Sequence, residues 1–290
     1  MNCQSVLLKA ACSAAFGVLF VPPLSAQGAT RKVAINFQPM VGAEKFACGR
    51  SYAGVGTTAA TITPSDFAVY VHDVKLLSAS GAEVPVVLDQ DGVFQNGTVA
   101  LLDFEDGKGA CSNGNAATHT ALTGAVPEGK YSGVRFTIGV PFERNHLDLA
   151  AQPSPLSASR MFWAWNSGHK FARFDSKSAE GKSWVLHLGS AGCMPTGSAI
   201  KAPTGCAQEN RVTVTIAGFD VDADAIVADA GSLFAGNGGP DNQVCMSSLK
   251  SPACAPMFAA LGIPFNAPAS KPQTFLRRAS SAVSSRGLEK

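Results

Sequence analysis

The sequence predicts a mainly β protein: an antiparallel β-sandwich or barrel-like domain stapled by disulfides, with short helices near the C-terminus. Three observations predict it. Short runs rich in Val, Ile, Phe and Tyr recur along the chain, many of them alternating with period two. Gly-containing breaks at Ser80-Gly81, Asp106-Gly107, Pro127-Glu128-Gly129 and Glu180-Gly181 punctuate those runs. Cysteines at wide spacing follow an apolar leader, as in exported chains.

The first element is a removable address. Val6–Leu24 is mostly apolar, and Leu24-Ser25-Ala26 resembles a small-residue cleavage site, so 1–26 reads as a signal peptide. Lys9 and the Pro22-Pro23 break argue against a spanning helix, so no stable membrane insertion is expected. The protein is expected to be periplasmic or otherwise exported. Residues 27–267 form a single β-rich domain in this reading, and 268–290, with Arg277, Arg278 and Arg286 among serines, a mobile tail.

Strands are expected at Arg31–Phe37, Phe67–Leu77, Val84–Leu88, Val99–Phe104, Tyr131–Val140, Phe162–Trp165, Lys170–Phe174, Trp184–Leu188 and Arg211–Phe219. Helices are expected only at Ala223–Phe234, behind the Asp220/Asp222/Asp224 cluster, and at Cys254–Gly262, closed by its glycine.

Cys3 and Cys12 leave with the leader, which keeps Cys48, Cys111, Cys193, Cys206, Cys245 and Cys254. Local spacing suggests Cys193–Cys206 and Cys245–Cys254, with Cys48–Cys111 by elimination. No Cys-x-x-Cys occurs, which argues against zinc ribbons, thioredoxin chemistry and covalent haem. Removing Lys9 takes the formal net charge from +2 to +1, so no charge field points to nucleic acid.

Candidate chemistry is sparse. In Phe162–Trp165, alternation puts Met161, Trp163 and Trp165 on one face, the two indoles roughly 7 Å apart. Taken alone, such a pair reads first as core or interface packing. His72 shares a face with Tyr70, Val74 and Leu76 if its strand is regular, and His187 lies opposite Trp184, Leu186 and Leu188. There is no His-x-His and no His-Glu-x-x-His, so any metal site must be assembled from distant strands. Asp220/Asp222/Asp224 resembles the start of a calcium loop, but Ala225 stands where glycine is needed and Gly231 where the bidentate acid belongs. Helix capping is the better account there. Asp103–Gly107 reads as a strand end and turn, with a weak structural Ca2+ site as the alternative. Nucleophile elbows, phosphate loops and dinucleotide fingerprints are missing.

Several runs together resemble one family: Phe46-x-Cys48-Gly49, Tyr70-Val-His72-Asp73-Val, Leu101-Leu-Asp103-Phe-Glu105-Asp106-Gly, Tyr131-x-Gly-Val-Arg135-Phe, Gly139-Val-Pro141-Phe-x-x-Asn145-His146, Met161-Phe-Trp163-x-Trp165-x-x-Gly-x-Lys170-Phe and His187-Leu-Gly-x-x-Gly-Cys193. Over roughly 31–262 the chain resembles the MbnP family, the four-Cys proteins of the metallo-mystery pair system. The resemblance implies an exported protein, not itself an enzyme, that binds copper as Cu(I). It implies a partner, a MauG-like dihaem c-type cytochrome peroxidase, that oxidises a tryptophan of the Trp-x-Trp motif to kynurenine. Carried onto this chain, the oxidation candidates are Trp163 and Trp165, and the copper ligands are His72 and His187, then His146. His119 and His169 match no family histidine.

Two departures stand out. The mature chain has six cysteines rather than four. Some kynurenine-bearing copper relatives carry a histidine two residues after the modified tryptophan, where this chain has Trp165 and Ser167. Two other classes compete with the copper reading. One is a secreted β-sandwich hydrolase or carbohydrate-active enzyme using carboxylates from Glu105, Asp106 and Asp175. The other is an interaction module with Trp163 and Trp165 as an exposed anchor.

Overall fold

Alternation sorts the strands into two packed sheets. In Thr30–Val41, Val33, Ile35 and Phe37 turn inward while Lys32, Ala34 and Asn36 face out. The computed structural model describes residues 28–164, 166–195, 202–266 and 271–279. The expected leader, Trp165 and residues 280–290 lie outside the described residues.

The smaller sheet runs Leu276–Arg278, Ala225–Asp229, Thr30–Val41, Ala121–Pro127, Val87–Leu88, with Glu44–Lys45 paired to Thr30–Val41. The larger runs Val212–Ala217, Tyr131–Ile138, Ala60–Ser78, Ala172–Ser178, Ser183–Leu188, Gln243–Cys245. Tyr52–Val55, Glu83–Pro85 and Val99–Asp103 also pair with Ala60–Ser78. Pairing is antiparallel except where Thr30–Val41 meets Ala225–Asp229 and Ser183–Leu188 meets Gln243–Cys245. The fold is therefore a sandwich of open sheets and not a closed barrel.

Between the sheets lies one apolar core. Phe37 meets Phe136 edge-on at 5.8 Å, and Phe67 gathers Phe104, Phe174 and Phe275 at 4.7, 5.4 and 6.2 Å. Trp184, Leu186 and Leu188 point into it, leaving Val185 and His187 on the opposite face. Disulfides join Cys48 to Cys111, Cys193 to Cys206 and Cys245 to Cys254.

Four local expectations change. Ala225–Asp229 is a strand rather than the first half of a helix, with Ile226 and Val227 buried in the smaller sheet. Only Ala230–Leu233 after it is helical. The Asp220/Asp222/Asp224 cluster consequently caps no helix. It folds on itself, with Asp220 N–H bonding Asp224 Oδ2 and Asp222 N–H bonding Asp220 Oδ1, while Asp222 pairs with Arg31 at 2.8 Å. Leu276–Arg278, expected in a mobile tail, is an edge strand fixed by the burial of Phe275 and Leu276.

The fourth concerns His72. A bulge at Asp73, where φ is +53°, places His72 opposite Thr137 but Lys75 opposite Arg135. The extra residue reverses the alternation. Val71, Val74 and Leu76 face the core, and His72 stays with Tyr70 on the other side. Helix Cys254–Leu261 does end as its sequence indicates, at Gly262 with φ +69°.

Candidate functional site

The outer face of the larger sheet carries the chemistry. Register aligns His187, Arg173, Ala68 and Asp103 in one row, and Val185, Asp175 and Asp66 in the next. Directly paired residues share a face, so these two rows bring together one histidine, one arginine and three carboxylates. Residues 142–164 and 166–170 cross over it, held by contacts from Pro155 and Arg160. Tyr70 OH donates to Pro155 O at 2.6 Å, and Leu156 and Met161 of the crossing segment are fully buried.

Arg160 fastens that segment from below. Its guanidinium reaches Asp66 at 2.9 Å, Asp103 at 2.5 Å and Glu105 at 3.1 Å. Ala68, in the row between Arg173 and Asp103, has a side chain small enough to admit it. Lys170 Nζ and Arg173 Nη1 both donate to the Arg160 carbonyl. Burial pushes the carboxyls of Asp66 and Asp103 up to about 6 even against the pull of Arg160. One Asp103 oxygen is buried without a hydrogen-bond partner, as suits a carboxyl that readily holds a proton.

From this cluster a chain of polar contacts leads to the tryptophan motif. Arg173 bonds Asp66 at 3.1 Å and Asp175 at 2.6 Å, and His187 Nε2 donates to Asp175 Oδ1 at 2.7 Å. Burial opposes ionisation of Asp175, but its bonds to His187 and Arg173 hold its carboxyl below the usual carboxylate range. With Nε2–H committed to Asp175, the lone pair of a neutral His187 ring resides on Nδ1.

Trp163 sits above. Its ring centroid is 6.4 Å from that of His187, tilted by 49°. The hairpin Phe162–Ala164/Gly168–His169 carries it, and Phe162 packs edge-on against His169 at 4.9 Å. Gly189 makes the seat possible. A β-carbon there would lie 2.5 Å from Trp163 Cζ3 and 2.7 Å from His169 O. Trp163 is half-buried, with one side of its ring against Gly189 and part of it open to solvent. Trp165 lies outside the described residues.

The histidines do not all converge. His187 aligns with Ala68, and His72 lies four residues further along that strand, two strands away from His187. That places their Cα atoms about 16 Å apart, too far for one ion bridged by metal–nitrogen bonds of roughly 2 Å. His72 Nδ1 instead lies 2.9 Å from Gly139 O, and burial lowers its pKa. His146 is buried beside the Cys193–Cys206 bridge, with Nε2 3.6 Å from Cys206 Sγ and 3.1 Å from Asn145 Nδ2. Donor atoms of His146, Cys193 and Cys206 all lie within 4.8 Å of one another, but the bridged sulfurs are not thiolate ligands.

His119 and His169 are structural. His119 stacks on Phe94 at 4.8 Å with Nδ1 against Leu101 O, and His169 is wedged between Asn145 O and Leu156 O. Burial lowers the pKa of both. Two of the three carboxylates proposed for a hydrolase, Glu105 and Asp175, are committed as well. Glu105 accepts from Gly107 N and Asn115 N and pairs with Arg160, which makes Asp103–Gly107 a turn whose nearby cation is a guanidinium. Sequence reasoning missed Arg160, Arg173 and Asp66, because ion pairs between residues some ninety apart leave no spacing signal.

Comparison with known proteins agrees with these motifs. No curated protein matches the chain. Among solved structures, MbnP from Methylosinus trichosporium is similar, with TM-score 0.74 and 27% identity over 87% of this chain and 99% of that one. A sequence model described as MbnP matches residues 30–247. The chain belongs to the MbnP family.

Proposed function

We propose that this is an exported copper-binding protein, not itself an enzyme, whose Trp163–Trp165 segment is oxidised to kynurenine by a dihaem c-type cytochrome partner. Export is supported by the apolar leader sequence and three disulfides, and among the described residues no helix is long and apolar enough to cross a membrane.

One observation carries the reading: Trp163 is seated over His187, whose ring is oriented by Asp175. A carboxylate–imidazole pair is the usual support behind a metal-bound histidine, so the donor set suits a soft ion at Nδ1. Bound copper would supply a soft acceptor for that nitrogen. Asp175 fixes the tautomer, Arg173 holds Asp175, and the covering segment limits water. His187 is the ligand best placed beside the tryptophan.

The oxidation balances with hydrogen peroxide as oxidant. Two equivalents cleave the indole C2–C3 bond, each carbon becomes a carbonyl, and two waters leave. Hydrolysis then releases formate and exposes an aromatic amine. Trp163 is only half-buried, so a haem docked outside can accept its electrons without sharing a pocket.

Coexpression with the dihaem partner under peroxide should give the tryptophan-to-kynurenine mass change on the peptide carrying Trp163 and Trp165. Copper should be retained at about one equivalent per chain, and lost in the His187→Ala variant. An unmodified peptide under those conditions, or undiminished copper in that variant, overturns the reading.

A further inference from the structure

The strand Gln243–Cys245 runs parallel to Ser183–Leu188, with Trp184 beside Gln243, Val185 beside Val244 and Leu186 beside Cys245. One more step in that register sets Met246 beside His187. The chain does continue alongside: Ser247 Oγ donates to His187 O at 3.0 Å and accepts from Gly189 N–H at 2.8 Å. Alternation then fixes the face. Cys245 and Ser247 are buried, whereas Met246, one residue past the strand, is 46% exposed, and alternation carried one step beyond Cys245 sets it on the side of His187 and Trp163.

The backbone here is not free to turn Met246 elsewhere. The Cys245–Cys254 disulfide pins the preceding residue, and the paired Ser247 bonds pin the following one. An unbranched apolar side chain is thus held at the surface between two fixed neighbours, one residue beyond the strand next to His187. Adjacent strands lie about 4.8 Å apart, so the flexible thioether reaches the region in front of the imidazole.

We propose that Met246 Sδ is a copper ligand of this protein, binding the ion together with His187 beside the Trp163 ring. The proposal rests on the reading of His187 as a copper ligand and adds the residue that sets which oxidation state is held. A thioether is a neutral, soft donor, and with imidazole it favours Cu(I) over Zn2+ and other harder cations. Both donors are uncharged, so the nearby Asp175 carboxylate offsets the charge of the ion through the His187 ring. Met194, also exposed, lies on the separate Ala191–Pro195 strand beside Cys193 and serves as the comparison thioether.

The test loads the mature protein anaerobically with Cu(I) and reads the copper environment by X-ray absorption, with affinity measured by competition against a chromophoric Cu(I) chelator. Wild type and Met194→Leu should show a copper–sulfur shell. Met246→Leu should lose that shell, keep copper through nitrogen, and bind it roughly tenfold or more weakly. The circular dichroism spectrum should be unchanged, since Met246 is exposed. Copper held by wild type through nitrogen and oxygen alone, or a sulfur shell that survives in Met246→Leu, overturns the assignment of Met246 and leaves the copper reading standing. Failure of the wild type to retain Cu(I) overturns both.

Discussion

Asp175 Oδ1 accepts a 2.7 Å hydrogen bond from His187 Nε2, and the same carboxylate is clamped by Arg173 from the neighbouring side. The imidazole beside the tryptophan therefore has one orientation and one tautomer. Asp175→Asn keeps the shape but replaces an acceptor-only carboxylate with an amide that can also donate, so it no longer discriminates between tautomers. Copper affinity should fall by about 10- to 100-fold with little change in unfolding temperature. Chelator competition alongside thermal melting separates the two quantities.

Gly189 is the floor on which Trp163 rests. Gly189→Ala forces the indole outward or shifts the hairpin, because the added carbon meets both the ring and the His169 carbonyl. Overpacking of this kind costs about 1–3 kcal/mol. Chemical denaturation should show that loss, and tryptophan fluorescence should report a more exposed ring.

Arg160 neutralises carboxylates that have no solvent to turn to. Arg160→Leu leaves Asp66, Asp103 and Glu105 buried together, and removal of one partner from such a cluster costs about 3–5 kcal/mol. Urea unfolding at neutral pH should register this as a lower midpoint. A companion Asp66→Asn change should recover part of it by removing one of the stranded charges.

Asp66 also links stability to pH. Its folded pKa is raised from 3.8 to about 6, so the folded chain holds a proton there that the unfolded chain releases. The resulting stability is complete at low pH and is lost as pH rises through about 6. Between about pH 5 and about pH 7.5 wild type should lose ~1.4 kcal/mol through this group, and Asp66→Asn should escape that loss. Denaturant titrations of both proteins at the two pH values provide the comparison. A parallel pH dependence in the variant would refute the shift.

What was legible in the sequence was local. Period-two alternation put Trp184, Leu186 and Leu188 on one side of their strand and His187 on the other, and Gly262 ended its helix. Ala225–Asp229 misled because an acidic cluster before an apolar run imitates a capped helix, whereas pairing with Thr30–Val41 decides for strand. The bulge at Asp73 is silent in sequence and turns His72 away from Val74 and Leu76. The separation of His72 from His187, the Arg160 cluster and the place of Met246 depend on register between strands distant in sequence. No window of residues contains that information.

The 19-residue strand Ala60–Ser78 hydrogen-bonds to five others, from Tyr52–Val55 on one flank to Ala172–Ser178 on the other. These partners are far apart in the chain, so the larger sheet cannot assemble until much of the sequence is present. Folding of this molecule should be slow and all-or-none for its size. No fragment lacking that strand retains the larger sheet, and local opening should be confined to edges and loops while the backbone amides of Ala60–Ser78 exchange only through global unfolding.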